Sequence, residues 1–262
     1  MANRAWKDLV AMSNTETVAA RPELDDLGAD TSASPALGVL AMIVSGVLAA
    51  GMSYFAVNSI GLVYPIPQEV LSLGAAPTTE ERAAATAAQL AADSGNAMVW
   101  LGVTGAVFGA VLALSIGVLR RAGTKAALGA IAGILFAGAF GAIAGHVVVT
   151  VHHSLVADMI GGTSGQEHKF MMMHGMTWAF IGVGVGLACG LSNRAIQLQS
   201  LAVSVVVGGI MGCVAGAAFP LMVAIAAPLV DASAPVAAPG VARVIWMTLA
   251  AVFMGAGVSR VN

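Results

Sequence analysis

Residues 97–119 read AMVWLGVTGAVFGAVLALSIGVL, 23 positions without an Asp, Glu, Lys or Arg. At about 1.5 Å of helical rise per residue such a segment reaches about 35 Å, enough to cross the roughly 30 Å hydrocarbon layer of a bilayer. Five more stretches have the same character, at about 36–57, 126–151, 170–191, 201–230 and 241–258, and Arg243 is the one charged residue within any of them. The chain as a whole agrees: of its 262 residues 58% are hydrophobic and 9% charged, a balance foreign to soluble domains. The sequence therefore predicts an all-α integral membrane protein, with a polar tail over 1–34 and a six-helix membrane domain over 35–262. Its first partner is the lipid bilayer. A net charge of -2 supplies no basic field for phosphates, which excludes nucleic acid as a partner.

The loops set an expected orientation. With the N-terminus inside, Arg4, Lys7, Arg21, Arg120, Arg121, Lys125, Arg194 and Arg260 are cytoplasmic, and only Arg82, Lys169 and Arg243 are external. The positive-inside rule then puts both termini in the cytoplasm of a cell whose inner membrane holds the protein. Residues 1–34 contain no apolar run of signal-peptide length, so the first span is expected to act as its own insertion signal. Trp6, Leu9 and Val10 have the spacing of a short interfacial helix, and a disordered tail is the alternative. In the outer loop, about 58–96, Tyr64-Pro65-Ile66-Pro67 resists helix, and Thr78 and Glu81 have capping-box spacing ahead of an alanine-rich helix that ends at Ser94-Gly95. Cys189 and Cys213 fall at different depths, too far apart for a disulfide.

Residues 98–122 laid over 171–195 give nine identities in 25, among them Met98 with Met171, Thr104 with Thr177, Leu114 with Leu187 and Arg121 with Arg194. The last span joins more weakly through Met247-Thr248, matching Met176-Thr177, and Ala36-Leu37-Gly38 matches Ala127-Leu128-Gly129. Three consecutive hairpins of one orientation are expected. Small residues also recur every fourth position, as in Gly129, Gly133, Ala137, Gly141 and Gly145, or Gly182, Gly186 and Gly190, or Gly208, Gly212 and Gly216. Such glycine stripes let helix backbones approach closely where lipid gives no hydrophobic drive for association.

All five histidines, His146, His152, His153, His168 and His174, lie within 146–174. His146 and His174 fall at similar depth on antiparallel spans, the arrangement that axial haem ligation or a transition-metal site requires. The five together are the candidate metal ligands, with His146 and His174 the candidate cofactor pair. Met159, Met171, Met172, Met173 and Met176 add thioethers suited to copper. Ordinary interfacial histidines are the competing reading. His174-Gly175, followed by small and apolar residues through Gly190, is similar to the His-Gly-His helix of haem–copper oxidase and nitric oxide reductase catalytic subunits. The similarity covers about 20 residues of the 262, and Met176 stands where that helix has its second histidine, so it implies at most one haem ligand, His174.

No phosphate loop, Gly-x-Ser-x-Gly or HExxH motif is present, so no catalytic role is read from the sequence. Gly161-Gly162-Thr163-Ser164-Gly165 reads as a turn between spans. Three function classes remain: a subunit with an outer histidine site for haem or copper, a small-solute or ion transporter, and a structural subunit of a membrane complex or homo-oligomer.

Overall fold

The computed structural model describes residues 35–71, 77–160, 167–193 and 197–261. The Trp6–Val10 pattern, the glycine turn at 161–165 and Arg194 lie outside them. Two compact units divide the chain, 1–37 and 38–262. Residues 35–37 open the first helix; the rest of that helix and every later element belong to the second unit.

Every regular element among the described residues is helical: α1 Pro35–Ile60, α2 Gln68–Leu71, α3 Thr79–Leu119, α4 Thr124–Ala132, a π-helical turn Gly133–Ala137, α5 Gly138–Ile160, α6 Glu167–Leu191, α7 Leu198–Ala226 and α8 Val241–Val261. The helices α4 and α5 run on through the π turn, and six helices are long and apolar enough to span a membrane. The chain is a multi-pass membrane protein by that measure.

The largest departure from expectation is α3. Its predicted start holds, since Thr78 Oγ1 accepts from the Glu81 backbone N–H at 3.2 Å while a Glu81 carboxylate oxygen accepts from the Thr78 N–H at 2.7 Å. The predicted stop at Ser94-Gly95 is wrong, and the helix runs unbroken for 41 residues. Tertiary contacts outweigh the weak local propensity there. A Cβ at Gly95 would sit 2.7 Å from the Tyr64 ring, so glycine is what lets the ring pack. Asn96 accepts the N–H groups of Val63 and Tyr64, each at 2.9 Å, and donates to the Tyr64 carbonyl at 2.8 Å, so the following turn is anchored as well. At about 62 Å, roughly twice the hydrocarbon thickness, the first turns of α3 project beyond the bilayer. The fifth span also ends earlier than expected, because Ala227 precedes Pro228 and leaves the helical region at φ -149° and ψ 64°.

Burial divides the six spans into two sets. In their most apolar stretches, α1, α4–α5 and α7 have 28% of residues buried, whereas α3 has 50% and α6 and α8 each have 56%. The second set is therefore central, and α3, α6 and α8 each touch the other two. Each central helix also has a peripheral helix against it at backbone distance, and α6 meets the π turn as closely, through Gly184 and Ala137. On α5, a Cβ at Gly145 would lie 2.5 Å from the Ala97 carbonyl carbon of α3. Gly182, Gly212 and Gly216 meet the backbones of Gly208, Trp178 and His174 between α6 and α7, and Gly255 of α8 faces the Met42 carbonyl oxygen of α1 at 2.6 Å from its would-be Cβ.

Candidate functional site

The close approach of α3 and α5 stops at Ala97 and Gly145. Beyond that level the facing positions are larger, Asp93 and Gln89 on α3 and Val149, His152, His153 and Val156 on α5, and these line a cavity of about 320 Å³. The α3 residues Gln89, Asp93, Asn96 and Trp100 come at spacings of three and four, one face of one helix. The segments 61–64 and 231–236 contribute Leu62, Pro235 and Val236 to the lining. Both are tied down: Trp100 donates its indole N–H to the Gly61 carbonyl at 2.8 Å, and the Ala232 carbonyl lies 2.9 Å from His174 Nε2 of α6.

A carboxylate and an imidazole meet across the cavity wall. His153 Nε2 lies 3.2 Å from an Asp93 carboxylate oxygen, and the two side chains are 25% and 40% exposed, so the pair is reachable from the cavity. His152 stands beside it, ring centroids 6.1 Å apart, and its Nδ1 has no hydrogen-bond partner. Asn96 is committed to the 63–64 turn, while the Gln89 side chain is exposed. The cavity thus offers a carboxylate and an amide, His152 Nδ1 being buried out of its reach, and among the described residues neither Lys nor Arg lines it.

The histidines named from sequence are distributed over separate places. His146 is exposed and its Nδ1 lies 2.8 Å from the Ser94 hydroxyl of α3. His153 reaches the neighbouring residue, Asp93, so these two share the α3-facing side of α5. His168 is exposed in the first turn of α6. His174 is fully buried, stacked edge-on against Phe219 at 4.7 Å and near Trp246 at 6.3 Å, with its Nε2 2.9 Å from the Ala232 carbonyl. The rings of His146 and His174 engage different helices. Among the described residues no three His, Cys, Asp or Glu side chains come close enough together to hold a metal ion. The methionines also part company, Met172 facing outward at 70% exposure while Met173 is in the core.

Below the cavity the axis of the bundle is filled by rings. Phe108 of α3 meets Trp178 of α6 at 5.4 Å, and Trp178 meets Trp246 of α8 at 4.7 Å, so each central helix supplies one aromatic side chain to the plug. Arg243 ends the apolar part of α8 at the same end of the bundle. It is buried, donates to the Ala237 carbonyl at 3.0 Å and to the Asn58 side-chain oxygen, and places its guanidinium 5.7 Å from the Trp100 ring centre. By gathering α1, α3, α8 and the 231–240 segment, it fixes the cavity's far wall.

Asp93, Gln89 and Trp100 were not among the residues singled out from sequence. The signal was their one-face spacing, which becomes visible only if α3 is continued through Ser94-Gly95. Comparison with family models, with characterised proteins and with solved structures finds no match.

Proposed function

We propose that the protein is a membrane-embedded binding subunit whose cavity at the histidine end takes a small protonated amine from the extracytoplasmic side. The observation that carries this reading is the cavity wall itself, with the Asp93 carboxylate, the Gln89 amide and apolar side chains, and with neither Lys nor Arg among the described lining residues. A cationic N–H donor is the complement of that set. Its ammonium group would bond the Asp93 carboxylate, a charge-assisted contact stronger than a neutral one. Val149, Val156 and the Trp100 indole would cover its apolar part. Binding, as opposed to permeation, is favoured by the ring plug of Phe108, Trp178 and Trp246 beneath the cavity.

The bundle that presents the cavity is, in this proposal, three hairpins in one orientation, each formed by a peripheral span and the following central span. Supporting it are the alternation of burial and the pairing of each central helix with the next peripheral one, α8 with α1 included. Under the 98–122 and 171–195 correspondence His174 occupies the place of Leu101, so the buried histidine belongs to one hairpin alone. The termini and the Arg120–Lys125 loop are assigned to the cytoplasm by the positive-inside argument. A haem or copper ion held by His146 and His174 has less support, because their rings have separate partners.

Benzylammonium, benzyl alcohol and benzoate share one shape and differ in charge, which makes them the natural test. In nanodiscs the cation is expected to raise the melting temperature through a saturable site while the anion has no effect. Equal shifts from all three, or a shift from benzoate alone, would defeat the proposal.

A further inference from the structure

The ring plug contains polar atoms that its packing leaves unused. The N–H groups of Trp178 and Trp246 and Nδ1 of His174 are each sealed from solvent, and none has a hydrogen-bond partner. All three side chains are at least 98% buried. They belong to one continuous group: His174 and Trp178 are four residues apart on one face of α6, and the Trp246 ring lies 4.7 Å from Trp178 and 6.3 Å from His174. Lone buried polar atoms are uncommon because each forfeits its hydration, and three together call for a shared partner.

Their chemistry restricts what that partner is. A carbonyl oxygen can only accept, so the contact from His174 Nε2 to the Ala232 carbonyl puts the ring proton on Nε2. In the neutral ring Nδ1 is then a bare acceptor. The indole nitrogens are donors only. A metal cation could use Nδ1 but would repel the indole N–H groups, and an anion would do the reverse. A molecule that both accepts and donates suits both kinds of atom. Two hydrogen bonds in series bridge heavy atoms about 5.6 Å apart, and the Trp246 and His174 ring centres are 6.3 Å apart.

We propose that a single buried water molecule sits between the three central helices, accepting an indole N–H of Trp178 or Trp246 and donating to Nδ1 of His174. The site is independent of the amine cavity above it. It gives His174 a role that neither packing nor metal ligation supplies, since the imidazole links the 231–236 segment on one side to the internal water on the other.

Solution or solid-state NMR of the full chain with labelled indole and imidazole nitrogens tests this directly. A through-space cross-peak of dipolar sign from the Trp178 or Trp246 indole proton to water is expected, together with an Nδ1 shift of His174 characteristic of an accepted hydrogen bond. In His174→Phe the cross-peak is expected to be lost and the indole proton to shift upfield. Indole protons without any water cross-peak in the native chain would overturn the proposal, as would a cross-peak that survives unchanged in a folded His174→Phe variant. Should that variant not fold, the native spectrum alone decides.

Discussion

Replacing Gly145 by alanine puts the packing argument to a quantitative trial. The added methyl would sit 2.5 Å from the Ala97 carbonyl carbon, 2.6 Å from its oxygen and 2.6 Å from the Met98 nitrogen. All three are backbone atoms of a central helix, so no side chain can rotate away. Ordinary contact near 3.4 Å requires α3 and α5 to separate by about 0.8–0.9 Å, and gaps of that size forfeit a quarter to a half of each dispersion contact across the seam. Overpacking of this kind costs about 1–3 kcal/mol, against which the better helix propensity of alanine returns up to about 1 kcal/mol. Gly51→Ala is the matched control, because nothing lies within 4 Å of its would-be Cβ. It keeps the propensity gain and loses no contact. The two variants should therefore differ by about 2 kcal/mol, roughly thirtyfold in the unfolding equilibrium. Reversible unfolding in mixed micelles, followed by circular dichroism, reads the difference. Equal stability of Gly145→Ala and Gly51→Ala would refute the close α3–α5 seam.

Two other expectations rest on single groups. Asn96→Ala removes a side chain that accepts two backbone N–H groups and donates to one carbonyl; at about 1–3 kcal/mol for orphaned partly buried partners, the Val63 and Tyr64 amides should exchange with deuterium roughly 5- to 100-fold faster while amides in α6 are unchanged. Single cysteines placed in the 120–125 loop of a chain lacking Cys189 and Cys213 should resist an impermeant reagent applied from outside, and ready labelling would reverse the proposed orientation.

Much of the fold was legible because membrane burial is written in composition. Six long apolar stretches, charge-free but for Arg243, match six spanning helices, and the Thr78–Glu81 box marked the start of α3 through a local hydrogen-bond rule that needs no tertiary information. The stop at Ser94-Gly95 failed because local propensity reads glycine as a breaker, whereas here Gly95 is a docking surface for Tyr64, 31 residues away. That one error hid the site, since Gln89 and Asp93 were assigned to a separate helix from Trp100. The π turn at Gly133–Ala137 carries no sequence signal of its own; it falls where α3 and α6 both press on the same rod, through Gly109 and Gly184. Histidine clustering in sequence was real, but helix rotation sent His146 and His153 toward α3 and His174 toward α7 and α8. Depth along a helix can be counted from sequence. Azimuth depends on which neighbour each face meets.

Equilibrium titration of benzylammonium into the nanodisc-embedded protein, native against Asp93→Asn, tests the functional reading most directly. The variant keeps the side-chain shape and a neutral acceptor oxygen for His153 but removes the charge that faces the cavity. A charge-assisted bond of about 1.5–3 kcal/mol corresponds to binding weakened roughly 10- to 100-fold in the variant, with benzoate bound by neither form. Equal affinity of the two proteins for the cation would contradict an amine site at Asp93.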